Sequence, residues 1–502
     1  MRNRMIMPAL VLALIGTSTA GLAEVQAAEP GPKAVYAANL TIEPLQHHIA
    51  GHVQIQFWPK VRDRAYVHLY PYAFAEGEGQ KGIVWDELLG KRATPGTYHI
   101  TKLLVQGKPV EGKRTGTVLE VPLDTADKPK ESGPVRLDME FEQVLPRNQA
   151  RMSYDEHAIW LGNWLPVLAV HDEGGWHLDP YVPMGDPFYS ETADYRLQVT
   201  LPPGYQLAST GIDHQASSTQ TPDGKRRSFF LQADNVRDFA LVVLDESYRL
   251  METKSNETAV RTWWRSGDNL NQVMQLHDAA VRSLDYFHRT YGAYPYSEYD
   301  VVRTGGRFDG MEYPGLVFVD GSHFAAENSV STAVVVHETA HQWFYGLVGN
   351  DQIGEAWLDE GLTEYAALSF LQKAYPKLAE DRIQRRRLRG IVPADSYAVE
   401  GLRPWQPIQY FPDWLSYSDL VYSRGVSMLW TLREAWGEAQ VDQVLKSYVG
   451  KHRFGVATAS ELIAAFSEVA GEDATPYFDF WMKLDKAQEA KAKAWLARRG
   501  KR

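Results

Sequence analysis

The apolar residues of this chain change period near residue 270, and that switch limits what the chain can fold into. Upstream, apolar and polar residues alternate from His52 to Phe57, in Val135-Arg-Leu-Asp-Met-Glu-Phe141 and in Tyr195-Arg-Leu-Gln-Val-Thr-Leu201. A period of two puts every second side chain on one face of a strand. Such segments from about Val35 to Val243 predict a large β-sandwich or saddle with one face of each sheet buried. Pro202-Pro-Gly204 ends one strand, and Thr221-Pro-Asp-Gly224 supports a hairpin turn. Downstream, Leu270, Val273, Met274, Leu276, Ala279, Ala280, Leu284 and Phe287 recur at helical spacing up to Gly292. Strands are expected at Tyr299–Val302 and Gly315–Val319, then mainly helix to about Leu484. The interval from Pro393 to Pro412 reads as a long loop. The expectation is a multidomain α+β chain: an N-terminal β-domain over 35–245, then a mainly helical catalytic domain over 246–484.

Composition narrows the chemistry. The 502 residues include 52 Lys and Arg against 63 Asp and Glu, a net charge of −11, so the chain has no basic footprint for nucleic acid. There is no cysteine, which excludes disulfides, thiolate metal ligands, a thiol nucleophile and a lipidated cysteine. Any zinc site must be built from His and carboxylates. Residues 1–28 read as a secretory signal peptide. Arg2 and Arg4 precede an apolar run from Met5 to Gly16 that is too short to span a bilayer, and small residues place cleavage after Ala23 or Ala27. The alternative is an uncleaved anchor. No later segment reaches the length of a membrane span, so the mature chain is expected to be soluble and exported. Residues 485–502 form a basic tail; from Lys483 to Arg502 there are eight basic and two acidic side chains. It reads as a solvated terminal helix or frayed tail, with weak contact to an anionic surface as the alternative.

The strongest chemical signal is His337-Glu338-Thr339-Ala340-His341, behind the apolar run Ala333-Val-Val-Val336. On a helix, positions four apart share one face, so both imidazoles can grip one zinc ion. Glu338 beside them can take a proton from a water on that ion. A three-ligand site with an open position needs one more donor. Glu360 begins a helical pattern in Glu355-Ala-Trp-Leu-Asp-Glu-Gly-Leu-Thr-Glu-Tyr365 and offers one; taken alone it would read as a surface charge, but its place beside Gly361 at a fixed interval from the histidine pair argues for the ligand. Glu364, one turn on, either orients a ligand histidine or is an exposed carboxylate. His47, His48 and His171 have no partners at metal spacing and read as ordinary surface or hydrogen-bonded residues.

His337-Glu-Thr-Ala-His-Gln-Trp-Phe344, followed after His341 by 18 residues and then Glu360 in Trp357-Leu-Asp-Glu-Gly361, resembles the aminopeptidase N family of zinc peptidases, which includes the leukotriene hydrolases. The thermolysin-type endopeptidases place this Glu one residue later. The resemblance implies a thermolysin-like catalytic domain, one zinc ion held by His337, His341 and Glu360, and a general base at Glu338. Gly310-Met311-Glu312 is similar to the family's Gly-x-Met-Glu-Asn element, which implies that Glu312 holds the free amino group of a peptide substrate. Asp309 stands where that element usually has Gly, and Tyr313-Pro314 replace its Asn. Tyr422, in Tyr422-Ser-Arg-Gly425 and 85 residues after His337, resembles the family's catalytic tyrosine. Matching stretches run from Gly292-Ala-Tyr-Pro-Tyr296 through Tyr422, and Asn235-Val-Arg-Asp-Phe239 is similar to the family's domain junction. No segment of the β-domain matches the family's second amine contact; the aromatic-rich stretch from Asn163-Trp164 to Asp186 is the alternative source of substrate contacts. The large C-terminal helical domain of longer relatives is expected to be absent or much reduced.

The expected function is therefore a secreted zinc aminopeptidase acting on peptides with a free N-terminus. The alternatives are a zinc endopeptidase on a similar scaffold and a catalytically silent binding protein. For Glu312 the competing role is a structural ion pair with Arg303 or Arg307; for Tyr422 it is a core aromatic near Trp414, Tyr417 and Trp430.

Overall fold

In the computed structural model, residues 34–75, 82–123, 133–213, 219–221 and 224–497 are described. The leader expected over residues 1–28 lies outside them, as do residues 498–502 of the basic tail.

The alternating segments form the predicted sheets. Ala34–Glu43 lies at the centre of a nine-stranded sheet, antiparallel to His48–Phe57 and parallel to Ala193–Leu201. Val135–Val144 pairs with the far side of His48–Phe57. Tyr36, Ala38, Leu40 and Ile42 are buried on one face, which is what period two dictates. Two smaller four-stranded sheets complete this half; one contains Ala158–Leu161 and Leu241–Leu244, the other Arg64–His68 and Val118–Pro122. All three contribute to one hydrophobic core through Ile55, Leu137, Val67, Leu119, Leu161 and Val243.

A five-stranded sheet opens the second half. Its order is Tyr248–Ser255, Thr258–Arg265, Glu298–Thr304, Leu316–Asp320 and, at the edge, Gly310–Met311. Thr258–Arg265 and Glu298–Thr304 are parallel, so a crossover must join them. The helix Leu270–Tyr291 provides it, capped by Asn269, whose side chain accepts from the Gln272 backbone, and ended at Gly292 with φ +123°. The edge strand runs antiparallel, with Met311 opposite Phe318.

Helices follow at Ser329–Ala340, Ala356–Ala374, Pro376–Ile391, Gly425–Trp436, Glu438–His452, Ala459–Ala470 and Thr475–Met482. Two details differ from expectation. The Pro393–Pro412 interval contains a helix, Ala394–Val399, because a proline needs no N–H partner at a helix start and Pro393 sits there. Helix also resumes beyond Leu484 at Glu489–Ala497, where Ala492 and Trp495 are buried against the main core. Among the described residues no helix is long and apolar enough to cross a membrane.

The two halves are stitched together by buried polar contacts. Arg237 donates from Nε to the Tyr345 carbonyl (2.9 Å), from Nη1 to the Ser190 carbonyl (2.7 Å) and from Nη2 to the Gly455 carbonyl (2.7 Å). Tyr313 donates to Asn163 Oδ1 (2.7 Å). A third apolar cluster, including Trp160, Val242, Trp263, Met311 and Phe318, spans both halves. The N-terminal half therefore forms a fixed wall for whatever the edge strand faces.

Candidate active site

Helix geometry alone brings two imidazoles together. His337 and His341 lie at the end of the helix Ser329–Ala340, which is anchored by Asn328, whose side chain accepts from the Val330 backbone. Their Nε2 atoms are 3.0 Å apart. The neighbouring helix Ala356–Ala374 places Glu360 Oε2 3.1 Å from His337 Nε2 and 3.4 Å from His341 Nε2.

Both imidazoles are held from behind. His337 Nδ1 meets Glu364 Oε2 at 2.9 Å. His341 Nδ1 meets Asp359 Oδ1 at 2.8 Å and the Phe344 carbonyl at 3.0 Å. Metal binding requires the neutral rings; with Nδ1 donating, each Nε2 then presents a lone pair, and two lone pairs 3.0 Å apart repel unless a cation lies between them. Ligands at about 2.0–2.1 Å around a tetrahedral zinc stand about 3.3 Å from one another. The observed triangle of 3.0, 3.1 and 3.4 Å fits that spacing.

Glycines bring the remaining groups close. A Cβ on Gly361 would stand 3.1 Å from the Gly425 Cα, so the Ala356–Ala374 helix and the chain at Gly425 are in near-backbone contact. That contact seats the π-helical turn Ser418–Arg424 against Glu360. Tyr422 there donates its hydroxyl hydrogen to Glu360 Oε1, and its ring stacks on His337 at 5.8 Å. On the other side, a Cβ on Gly310 would stand 2.2 Å from Glu338 Oε1, so any side chain there would displace this carboxylate.

The cavity so formed is about 570 Å³ and is lined by Glu312, His337, Glu338, His341, Glu360 and Tyr422, six of the seven residues singled out from the sequence. Glu364, the seventh, is fully buried behind His337 rather than exposed. Neither expected ion-pair partner reaches Glu312: Arg303 pairs with Asp268 at 3.0 Å, and Arg307 makes no ion pair with it. Among the described residues, Glu312 Oε1 and Glu338 Oε2 are buried with no hydrogen-bond partner. Burial pushes the Glu312 carboxyl well above its ordinary range, and the nearby Asp186 adds to the shift. Burial likewise pushes Glu338 up to about 7. Glu360 behaves oppositely: burial would raise it, but its hydrogen bonds to His337 and His341 hold it low.

Several residues had not been singled out. Asp186, in the aromatic-rich stretch of the β-rich half, lies with Glu312 and Asp359 in one buried group whose oxygens are within 4.8 Å. It pairs with Arg151 at 2.6 Å, and burial still pushes its carboxyl up to about 6. Asp359 carried a signal, since it immediately precedes Glu360. Arg382 and Arg386 lie one turn apart on the helix Pro376–Ile391 and both grip Glu364.

Residues 276–481 match the Peptidase family M1 domain. Aminopeptidase B of Rattus norvegicus is 30% identical over 207 residues, 38% of this chain and 31% of that protein. Aminopeptidase 2 of Candida albicans is 24% identical over 321 residues, 59% of this chain. The matches span about a third of these relatives' own length, 31% and 33%. The fold is that of an M1 zinc metallopeptidase from Deinococcus radiodurans, crystallised as a mutant: 19% identity, TM-score 0.62, covering 90% of this chain and 94% of that one. A two-domain M1 zinc metallopeptidase mutant bound to L-arginine covers 93% of this chain with TM-score 0.61 and 17% identity. The architecture is accordingly that of the two-domain M1 zinc metallopeptidases.

Proposed function

We propose that this M1 chain is an exported zinc aminopeptidase that removes the first residue of peptides. The observation that carries the reading is Glu312. A buried carboxylate with an unpartnered oxygen is costly unless a cation meets it. Its place in the same cavity as His337, His341 and Glu360 suits the α-ammonium of a peptide whose first carbonyl reaches the metal. Asp186, whose carboxylate lies within 4.8 Å of that of Glu312, would reinforce that grip.

His337, His341 and Glu360 would hold the zinc, which when bound supplies Lewis acidity toward water and the scissile carbonyl. Glu338 takes the attacking water's proton and passes it to the leaving amine. Tyr422 turns its hydroxyl from Glu360 to the developing oxyanion; one such donor is worth about 2.7–4 kcal/mol. Because Glu312 fixes the amino terminus, only the first peptide bond reaches these groups. Export rests on the leader pattern of residues 1–28, and N-terminal sequencing of the secreted protein tests it.

The decisive assay compares a free peptide with its N-acetylated form. Free amino acid should be released only from the first, and a chelator should abolish the release. Equal cleavage of both would remove Glu312 from its assigned role, and internal cleavage of the blocked peptide would identify an endopeptidase.

A further inference from the structure

The Glu364 side of the site contains more charge than one hydrogen bond to His337 requires. Glu364 is fully buried and receives two arginines. Arg382 donates from Nε to Oε1 at 3.0 Å and from Nη2 to Oε2 at 3.1 Å. Arg386 donates from Nε to Oε1 at 2.8 Å. The two arginines differ in what else they touch. Arg386 Nη1 reaches Ser418 Oγ at 3.2 Å and Ser423 Oγ at 3.3 Å, near the two ends of the π-helical turn that carries Tyr422. Its guanidinium carbon also lies 5.3 Å from the centre of the Tyr422 ring. Arg382 makes no such contact with Tyr422.

We propose that Arg386 is a positioning residue that locks the Tyr422 turn to the metal-ligand set, so that ligand geometry and tyrosine geometry are fixed by one guanidinium. This rests on the aminopeptidase reading for the role of Tyr422, but not for the metal. One planar fork bonds Glu364 at one edge and the serines at another, while its face meets the ring. A lysine carries the charge without the fork. The π-helical turn, with its looser i→i+5 bonding, needs such an external tie if Tyr422 is to hold one position.

The test uses full-length mature protein carrying Arg386→Ala, Arg386→Lys or Arg382→Ala, each with and without Tyr422→Phe. Zinc affinity is read by competition with a chromophoric chelator and needs no catalysis. Both Arg386 variants and Arg382→Ala should bind zinc about 10- to 100-fold more weakly, as is usual when the group orienting a ligand histidine is disturbed. A crystal structure of Arg386→Lys should show the Tyr422–Glu360 hydrogen bond broken, whereas Arg382→Ala should retain it. At saturating zinc, Arg386→Lys should lower kcat at least about tenfold with little change in KM. It should cost less than about threefold once Tyr422 is already Phe, because a misplaced hydroxyl no longer matters. Arg382→Ala and Tyr422→Phe should instead multiply. Zinc affinity within threefold of wild type, or an intact Tyr422–Glu360 bond in Arg386→Lys, would overturn the proposal. So would independent kcat effects of Arg386 and Tyr422. If wild type cleaves no peptide while the zinc and crystallographic results stand, it is the aminopeptidase reading that fails.

Discussion

Glu364 and Glu312 are both buried carboxylates beside the same histidine pair, yet they are held in opposite ways. Glu364 meets His337, Arg382 and Arg386, and these partners more than reverse the effect of burial, keeping its carboxyl well below the ordinary range. Glu312 has an oxygen with no partner among the described residues, and burial drives its carboxyl well above that range. A charge whose partners are all supplied by the fold belongs to the scaffold. A buried acid left without a cation marks a place where the cation is brought by something else. One site thus has a finished side that fixes the ligands and an unfinished side that faces the substrate.

Two substitutions attack the unfinished side. Glu338→Gln keeps the shape and removes the base, so kcat should fall about 10²–10⁴-fold with zinc still bound. Retained activity in a zinc-loaded Glu338→Gln protein would mean that another group moves the proton. Glu312→Gln removes one charge-assisted hydrogen bond worth about 1.5–3 kcal/mol, which is roughly 10- to 150-fold in kcat/KM on free peptides. The same change should leave the slow cleavage of N-acetylated peptides unaltered. If Glu312→Gln lowers Tm but spares discrimination against the acetyl group, Glu312 belongs with Glu364 on the finished side.

The sequence made the local part of this comparison legible. His337 and His341 share a helix face by spacing alone, Glu338 is fixed between them, and Glu360 falls at a fixed interval beside Gly361. The layered β half and helical half followed from the period switch, because period reports which face is buried. What could not be read depended on tertiary approach. Asp186 lies in an irregular stretch far from Glu312 in the chain and meets it only across the cavity. Arg386 sits in Arg385-Arg386-Arg387, which looks like a solvated basic run, and only its helix face turns it toward Glu364. Arg382, one turn earlier, shares that face, but spacing alone does not tell a pair of solvated arginines from a pair gripping a buried acid. Glu364 itself was balanced between exposed and buried for the same reason: its helix is buried around nearly its whole circumference, so periodicity assigns it no face.

On the finished side, Glu364→Ala should act through stability and metal binding. It leaves Arg382 and Arg386 without their shared acid, and breaking a buried pair of this kind costs about 3–5 kcal/mol. Chemical denaturation should show that loss in the metal-free protein, where ligand binding cannot mask it. Glu312→Gln measured the same way should cost little, because no protein group loses a partner. Equal losses at the two positions would erase the distinction drawn here.

The smallest effect expected is a pH slope in the metal-free protein. Asp186, raised to about 6, and Glu338, raised to about 7, bind their protons more tightly folded than unfolded. Folding then takes up protons between the ordinary carboxylate range and pH 7, and stability must fall as pH rises through that window. His337 and His341 act in the same direction, because their acidic neighbours outweigh burial and raise them. Glu364 acts oppositely, but its contribution is complete above the ordinary carboxylate range, so it does not cancel the slope. Chelated protein should therefore melt at lower temperature at pH 7.5 than at pH 5. Asp186→Asn should flatten part of that difference, and zinc should flatten more of it, because a bound cation favours the ionised carboxylates. A metal-free protein whose Tm climbs from pH 5 to 7.5, with Asp186→Asn following the same slope, would show that Asp186 is already ionised in the folded protein across that range.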